Sequence, residues 1–304
     1  MAPGTGVVLA ERYPVSPWEE VEEAVSAAGV AFTELRGRTA EDIAAFLESF
    51  AQRIEDRREE ITAMAERETA LPREPRLNSI ELPRTTSQLR QAAAAARERS
   101  WSMPVIDTAN NVRSMYRAIG PVCVFGPNNF PLAFNSVSGG DFAAAVAAGN
   151  PVIAKANTSH PGTTRLLAEE ALEAARSTGM PKAMVQMIYR TSHEDGARLV
   201  AHHLVGATGY TGSRRAGLAL KRAADASGRP IYLELSSINP VVILPGALEE
   251  RGEEIVKEYV GSVLMGTGQF CTNPGLTISL SGESSRHFIA AAGRGFDEAV
   301  YASQ

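Results

Sequence analysis

Cys271 is the side chain of this 304-residue sequence whose setting most favours chemistry. It lies in the turn-forming stretch GQFCTNPG, residues 268–275, beside glycines, a proline and an asparagine. The other cysteine, Cys123, lies in the apolar run GPVCVFGP, where a thiol is typically buried and inert. A thiolate in a turn has backbone amides beside it and room for a substrate, and both favour nucleophilic attack. We therefore interpret Cys271 as a candidate nucleophile.

Glu234, which precedes Cys271 by 37 residues, is a candidate general base. It is the only charged residue in the apolar stretch YLEL, so we expect a strand to bury it. Burial without a partner raises the pKa of a carboxyl group, which suits a base that works near neutral pH. The alternative is a strand carboxylate held in a salt bridge.

Asn128 and Asn129 lie between prolines in GPNNFPLAF, directly after the apolar segment VCVF. Asparagine is common in turns, so one interpretation is purely structural. The other is that a fixed side-chain amide donates to an oxyanion that develops during a reaction.

Two further loops have residues that suit a nucleotide. Lys155 ends the apolar segment VIAK, where it either reaches out to solvent or meets a ribose or phosphate; Thr158, three residues on, is uncharged. Glycines 206, 209 and 212 precede a helix that Ser213 can cap, and amides at such a helix start can hold a pyrophosphate. Their spacing is not the usual dinucleotide fingerprint, so a plain strand-to-helix turn is the alternative.

The elements that must position these residues follow a clear order. The first hundred residues are mainly helical, and Ser16, Pro17 and Glu19 predict a capped start to the first helix. After Trp101, short apolar strands alternate with helices, which predicts an α/β fold: a Rossmann-like parallel sheet with helices on both faces. Ligands bind at the carboxyl ends of such strands, where the candidate residues lie.

Composition excludes several classes of protein. The net charge of −5 argues against nucleic acid as a partner. Two cysteines allow neither a disulfide framework nor, at their spacing, a zinc site, so we expect no metal. The sequence contains no run of about 18 apolar residues, so it predicts no membrane span. The N-terminus lacks the pattern of a secretory signal, so we expect a cytoplasmic protein.

Taken together, the stretches NNFPLAF, VIAK, GYTGS, LELSSINP and GQFCTNPG resemble the aldehyde dehydrogenase superfamily, from about residue 16 to about residue 280. Their variant forms are most similar to NADP-preferring members that oxidise 2-oxoglutarate semialdehyde. The resemblance implies an aldehyde dehydrogenase fold with a helical N-terminal region and dinucleotide-binding domain over 1–234. Residues 235–304 would form the first part of a catalytic domain, and members of the family form homo-oligomers.

The resemblance also implies roles for individual residues. Cys271 would be the nucleophile and Glu234 the base that activates water, while Asn129 and the Cys271 backbone N–H would form the oxyanion hole. Thr158 stands where NAD-preferring members carry glutamate, so NADP is expected, with NAD as the alternative. The implied cofactor-binding residues are Lys155, Thr158, Gly209, Gly212, Ser213 and Leu235.

The sequence ends 33 residues after Cys271, whereas members of the family continue well beyond this point. We therefore expect a C-terminally incomplete chain with little or no turnover by itself. Two functions stay open: an NADP-linked semialdehyde dehydrogenase, and a catalytically incompetent remnant that at most binds dinucleotide. A cysteine hydrolase is a weaker third interpretation, because none of the five histidines shows a recognisable pairing with Cys271.

Overall fold

The computed structural model describes residues 3–299 and divides the chain into two compact units, Met1–Glu234 and Leu235–Gln304. The two domains predicted from the sequence, 1–234 and 235–304, stay a prediction, and residues 1, 2 and 300–304 lie outside the described part. The functions assigned to the two domains stay predictions.

The first unit begins with a helical region and a small antiparallel hairpin. Its elements are α1 (Trp18–Leu35), α2 (Ala40–Asp56), α3 (Arg58–Thr69), an irregular helical segment (Arg73–Glu81) in which Glu74 is extended, α4 (Leu82–Glu98), β1 (Val105–Asp107) and β2 (Val112–Ser114). Helix α2 shows how the sequence determines such an element. Thr39 and Asp42 form a reciprocal capping box at its start, and its buried side chains recur at helical spacing.

A five-stranded parallel sheet follows, in the order β5-β4-β3-β6-β7. The strands are β3 (Val122–Phe125), β4 (Val152–Lys155), β5 (Val185–Ile188), β6 (Ala207–Thr211) and β7 (Ile231–Glu234). The helices between them are α5 (Gly140–Ala147), α6 (Pro161–Ser177), α7 (His193–Val200) and α8 (Arg214–Ala226). The predicted α/β class with a parallel sheet and flanking helices is confirmed.

Both faces of the sheet are covered because side chains alternate along each strand. In β3, Val122 and Val124 face a large core that includes Phe50 of α2. Cys123, between them, faces a second core that includes Val25 of α1. Strands buried on both faces read as continuous apolar runs, which is why VCVF and VIAK predicted them.

The start of α1 differs from the sequence prediction. The helix begins at Trp18 after Pro17, without a side-chain cap. Ser16 is buried, and its backbone N–H donates to the Arg190 carbonyl oxygen at 2.8 Å. Its hydroxyl accepts from the Tyr189 N–H at 3.1 Å. The predicted cap is therefore wrong: Ser16 instead bonds to the chain that follows edge strand β5.

The second unit is small. It consists of β8 (Pro240–Ile243), α9 (Pro245–Leu264), β9 (Leu276–Ser279) and α10 (Glu283–Glu298). Strands β8 and β9 pair in parallel. A small apolar cluster holds the unit together, with Ile243, Leu248 and Phe288 as its buried members. Within residues 3–299, each helix is too short or too polar to span a lipid bilayer.

Candidate active site

Strand order brings the candidate residues of the first unit to one edge of the sheet. Lys155 ends β4 and pairs in register with Phe125 at the end of β3, four residues before Asn129. Glu234 ends β7 beside Thr211 at the end of β6. All these strands run in parallel, so their carboxyl ends share one edge. The strand order switches direction between β3 and β6, the place where such sheets bind ligands.

The loop that carries Asn129 is fixed from one side by the loop after β4. The side-chain amide of Asn157 donates to the carbonyl oxygen of Gly126 at 3.0 Å. Nε2 of His160 lies 2.9 Å from the carbonyl oxygen of Pro127, and it donates because a carbonyl can only accept. His160 is buried, and desolvation lowers its pKa, so the ring is held neutral.

The other side of the same loop is fixed by Arg76 and Glu81. Arg76 donates through Nη2 to the carbonyl oxygen of Asn129 at 2.9 Å. Glu81 accepts through Oε1 from the backbone N–H groups of Leu132 and Ala133, at 2.7 and 3.0 Å. The two side chains lie 3.3 Å apart, and Glu81 is fully buried. Burial raises the pKa of Glu81, while Arg76, the two amides and the charge of Arg84 act in the opposite direction.

Sequence reasoning missed this pair of residues. A signal was present, because Glu81 is a charged residue between Ile80 and Leu82 in the stretch LNSIELPR. Its partner Leu132 lies 51 residues later, and no local pattern connects the two segments.

Lys155, the cation predicted to contact the cofactor, ends β4, and a second cation, Arg190, lies two residues after β5. Lys155 is half-buried, and its pKa is lowered by desolvation and by the nearby charge of Arg190. Thr158 is exposed in the loop after β4. Among residues 3–299, no carboxylate lies within 4 Å of the charged group of Lys155 or Arg190. Two cations without a nearby acidic partner favour an anionic ligand at this position.

The glycine-rich segment differs from the prediction. Ser213 caps α8 by accepting from the Ala216 N–H at 3.4 Å, as expected. The N–H of Gly212, however, donates to the Glu234 carbonyl oxygen at 3.0 Å, so sheet pairing uses it. Gly209 lies inside β6 rather than in the loop, and a Cβ there would be 2.7 Å from Oδ2 of Asp141. Close packing, not phosphate approach, accounts for the absence of a side chain at Gly209.

Glu234 is exposed, so the expectation that a strand buries it is wrong. The reason is its position, since β7 is one of the two edge strands of the sheet and its side chains alternate between half-buried and exposed. The carboxylate nonetheless affects a neighbour. Partial desolvation and the charge of Glu234 raise the pKa of Asp141 at the start of α5. Leu235, the next residue in the chain, is half-buried.

Cys271 lies in the second unit, in a turn fixed through its backbone. Its carbonyl oxygen accepts from the Ser237 hydroxyl and, at 2.7 Å, from the side-chain amide of Asn239. The same amide donates to the carbonyl oxygen of Asn273 at 2.8 Å. The Cys271 side chain is exposed. Cys123, in contrast, is fully buried, and burial raises its pKa to about 12.

Metal ligation has no candidate in the described part of the chain. Residues 3–299 contain no group of three or more histidine, cysteine, aspartate or glutamate side chains placed to hold a metal ion.

Known proteins resemble this chain in sequence and in fold. Residues 1–291 match the model of the aldehyde dehydrogenase family. Alpha-ketoglutaric semialdehyde dehydrogenase 2 of Azospirillum brasilense is 40% identical over 291 residues, which cover 92% of this chain and 55% of that protein. Alpha-ketoglutaric semialdehyde dehydrogenase of Acinetobacter baylyi is 39% identical over 284 residues, which cover 90% of this chain and 53% of that protein.

Solved structures show the same fold at lower identity. Gamma-glutamyl-gamma-aminobutyraldehyde dehydrogenase of Burkholderia cenocepacia superposes with a TM-score of 0.83 at 22% identity, over 97% of this chain and 58% of that one. The glyceraldehyde-3-phosphate dehydrogenase GapN of Methanocaldococcus jannaschii, complexed with NADP, superposes with a TM-score of 0.80 at 20% identity. The match covers 94% of this chain and 60% of that one. The chain spans about half the length of the curated relatives that it matches. It belongs to the aldehyde dehydrogenase family.

Proposed function

We propose that this chain carries the nucleophile, the oxyanion donor and the cofactor site of an NADP-preferring semialdehyde dehydrogenase, and that 2-oxoglutarate semialdehyde is its substrate. The observation that carries the proposal is the sheet edge where Lys155 and Glu234 end parallel strands and Asn129 follows a third. The exposed thiol of Cys271 in its fixed turn and the names of the relatives support it.

The chemistry begins at Cys271. Its thiolate attacks the aldehyde carbon, and the side-chain amide of Asn129 donates to the oxygen that becomes negative. A clamped loop suits this role, because an oxyanion donor is effective only when it is held in place beforehand. Oxidation of the adduct leaves a thioester on Cys271. Glu234, exposed and therefore open to solvent, accepts a proton from the water that hydrolyses the thioester to the acid.

NADP, when bound, supplies the hydride acceptor for the oxidation. The residues of the chain suit it. Lys155 and Arg190 place two positive charges at adjacent strand ends, and Thr158 adds no negative charge that would repel a 2′-phosphate. The start of α8 behind Ser213 offers backbone N–H groups to the pyrophosphate.

A second candidate function is dinucleotide binding without turnover. The observation that favours it is the parallel pair β8–β9, which leaves Val242, Leu276 and Ile278 exposed by 63%, 45% and 47%. The helices of this unit cover the two strands only in part, and a pair of strands without such cover is marginally stable in water. In this candidate the Cys271 turn keeps its hydrogen bonds but shifts together with these strands, and a displacement of about 1 Å can cost on the order of a hundredfold in rate.

NADPH formation measured at its near-ultraviolet absorbance tests the proposal and separates the two candidates. Because the chain spans about half the length of its relatives, the assay compares the chain alone with a fusion to the remaining part of the Azospirillum brasilense relative. We expect turnover of 2-oxoglutarate semialdehyde by the fusion and its loss in Cys271→Ser. A fusion that binds NADP without turnover supports the second candidate. Turnover that persists in Cys271→Ser contradicts the proposed nucleophile.

A further inference from the structure

Arg84, in the first turn of α4, lies over an aromatic pair in the loop that carries Asn129. Its guanidinium carbon is 4.8 Å from the ring centre of Phe134 and 5.8 Å from that of Phe130. The two rings meet edge to face at 4.9 Å. Phe130 follows Asn129 directly in the chain, so Arg84 is one aromatic residue away from the candidate oxyanion donor.

Arg84 differs from its neighbour Arg76 in how its charge is balanced. Arg76 also lies over Phe130, at 4.2 Å, but it is paired with the buried carboxylate of Glu81 and donates to the Asn129 backbone. Arg84 is exposed, and within residues 3–299 no carboxylate lies within 4 Å of its guanidinium. Glu81 therefore pairs directly with Arg76 and acts on Arg84 only at longer range, which leaves the Arg84 guanidinium open to a further anion.

The aromatic contact prepares this side chain for a ligand. The cation–π contact with Phe134 restricts the motion of the guanidinium, while its N–H donors stay available. A guanidinium edge matches the two oxygens of a carboxylate, with which it forms paired hydrogen bonds. Because less motion is lost on binding, a stacked arginine binds such an anion better than a mobile one.

We propose that Arg84 is a specificity-determining residue that binds the carboxylate at the far end of an anionic semialdehyde, while Asn129 faces the aldehyde oxygen. This assignment rests on the proposed function and narrows its substrate to short aldehydes that carry a terminal acid. The Phe130 and Phe134 rings supply the apolar wall along which the carbon chain lies. A neutral aldehyde of equal length gains the apolar contact but not the charged one, so it binds more weakly.

The test measures binding of 2-oxoglutarate, which is the predicted product and is available as a stable salt, to the 304-residue chain by titration calorimetry or ligand-observed NMR. This readout needs no turnover. Arg84→Gln removes the charge but keeps a long polar side chain. The matched control is Arg176→Gln, which removes an exposed arginine from α6. Pentane-1,5-diol serves as the neutral ligand of similar length.

We expect saturable binding of 2-oxoglutarate that weakens about tenfold or more in Arg84→Gln and is unchanged in Arg176→Gln, because one charge-assisted pair is lost. The diol should bind equally weakly to all three proteins. Equal binding of 2-oxoglutarate by Arg84→Gln and the unmodified chain overturns the assignment, and so does absence of binding by the unmodified chain. A failure of the proposed function would be seen in a different experiment. In that case the chain binds 2-oxoglutarate through Arg84, but the fusion forms no NADPH.

Discussion

The side-chain amide of Asn239 donates to the carbonyl oxygen of Cys271 at 2.7 Å and so ties the candidate nucleophile to the segment that enters β8. The same amide reaches the carbonyl oxygen of Asn273, so it spans the turn around the thiol. Asn239 has a φ of 43°, in the left-handed region that asparagine tolerates better than most residues. Asn239 thus combines the required backbone conformation with the required donors.

Asn239→Ala should loosen this turn, because it removes both hydrogen bonds and replaces asparagine by a residue that tolerates the left-handed region less well. We expect a loss of about 1–3 kcal/mol in the free energy of unfolding of the second unit, measured by urea denaturation. Asn239→Gly is the matched control, since it relieves the backbone but also lacks the amide. If Asn239→Gly is as stable as the unmodified chain, the hydrogen bonds contribute nothing and only the conformation matters.

The two cysteines should differ in reactivity. Cys271 is exposed, whereas Cys123 is buried with a pKa raised to about 12, so its thiolate is scarce at neutral pH. Brief treatment with iodoacetamide followed by peptide mass spectrometry should label Cys271 alone. Cys271→Ser should then stay unlabelled until urea unfolds the chain and exposes Cys123. Rapid labelling of Cys123 in the folded chain would contradict both the burial and the assignment.

Cofactor preference should follow the charge at position 158. Thr158→Glu places a carboxylate in the exposed loop after β4, where it should repel a 2′-phosphate and accept from a 2′-hydroxyl. We expect the ratio of NADP to NAD affinity, measured by titration, to fall by about tenfold or more, which corresponds to about 1.4 kcal/mol. Thr158→Gln is the control of equal size without charge. An unchanged ratio in Thr158→Glu would place the 2′-phosphate elsewhere.

The burial of His160 should lower the free energy of unfolding at mildly acidic pH. Burial lowers its pKa below the ordinary value of 6.5, so the unfolded chain binds a proton there that the folded chain does not. Stability is therefore full above about pH 6.5 and falls as the pH drops toward the lowered folded value, with a slope of up to about 1.4 kcal/mol per pH unit.

The measurement is the urea midpoint at pH 8 and pH 5.5 for His160→Gln and for the control His193→Gln, whose side chain is exposed. Carboxyl groups such as Glu68, whose pKa burial raises, also contribute to the pH dependence of the unmodified chain. The difference between the two variants isolates His160. An identical pH dependence in His160→Gln and His193→Gln would show that the ring binds a proton as readily in the folded chain as in the unfolded chain.

Much of the fold was predictable from the sequence because strand and helix patterns are local. Apolar runs such as VCVF and VIAK identified central strands, and the strand ends located Asn129 and Lys155 at one sheet edge. The exposure of Glu234 was not predictable, since the segment YLEL reads the same in a central and in an edge strand. Sheet order depends on contacts between distant segments, which no local pattern contains.

The supports of the candidate site were also beyond sequence reasoning. Glu81 is visible as a charge in an apolar segment, but its hydrogen bonds to Leu132 and Ala133 depend on how α4 packs beside the loop after β3. Gly209 is the opposite case, a residue to which the sequence analysis assigned a role that the structure does not support. Its place in a glycine-rich stretch suggested phosphate binding, whereas its contact with Asp141 indicates close packing.

Cys271 as the covalent nucleophile is tested most directly by trapping the thioester. Glu234→Gln removes the proposed base, so in the fusion to the remaining part of the Azospirillum brasilense relative the acyl group should accumulate after 2-oxoglutarate semialdehyde and NADP are added. Peptide mass spectrometry should then find the acyl mass on Cys271, and the further change Cys271→Ser should abolish it. An acyl group on Cys123, or no acyl group in a Glu234→Gln fusion that binds both ligands, would contradict the assignment of Cys271.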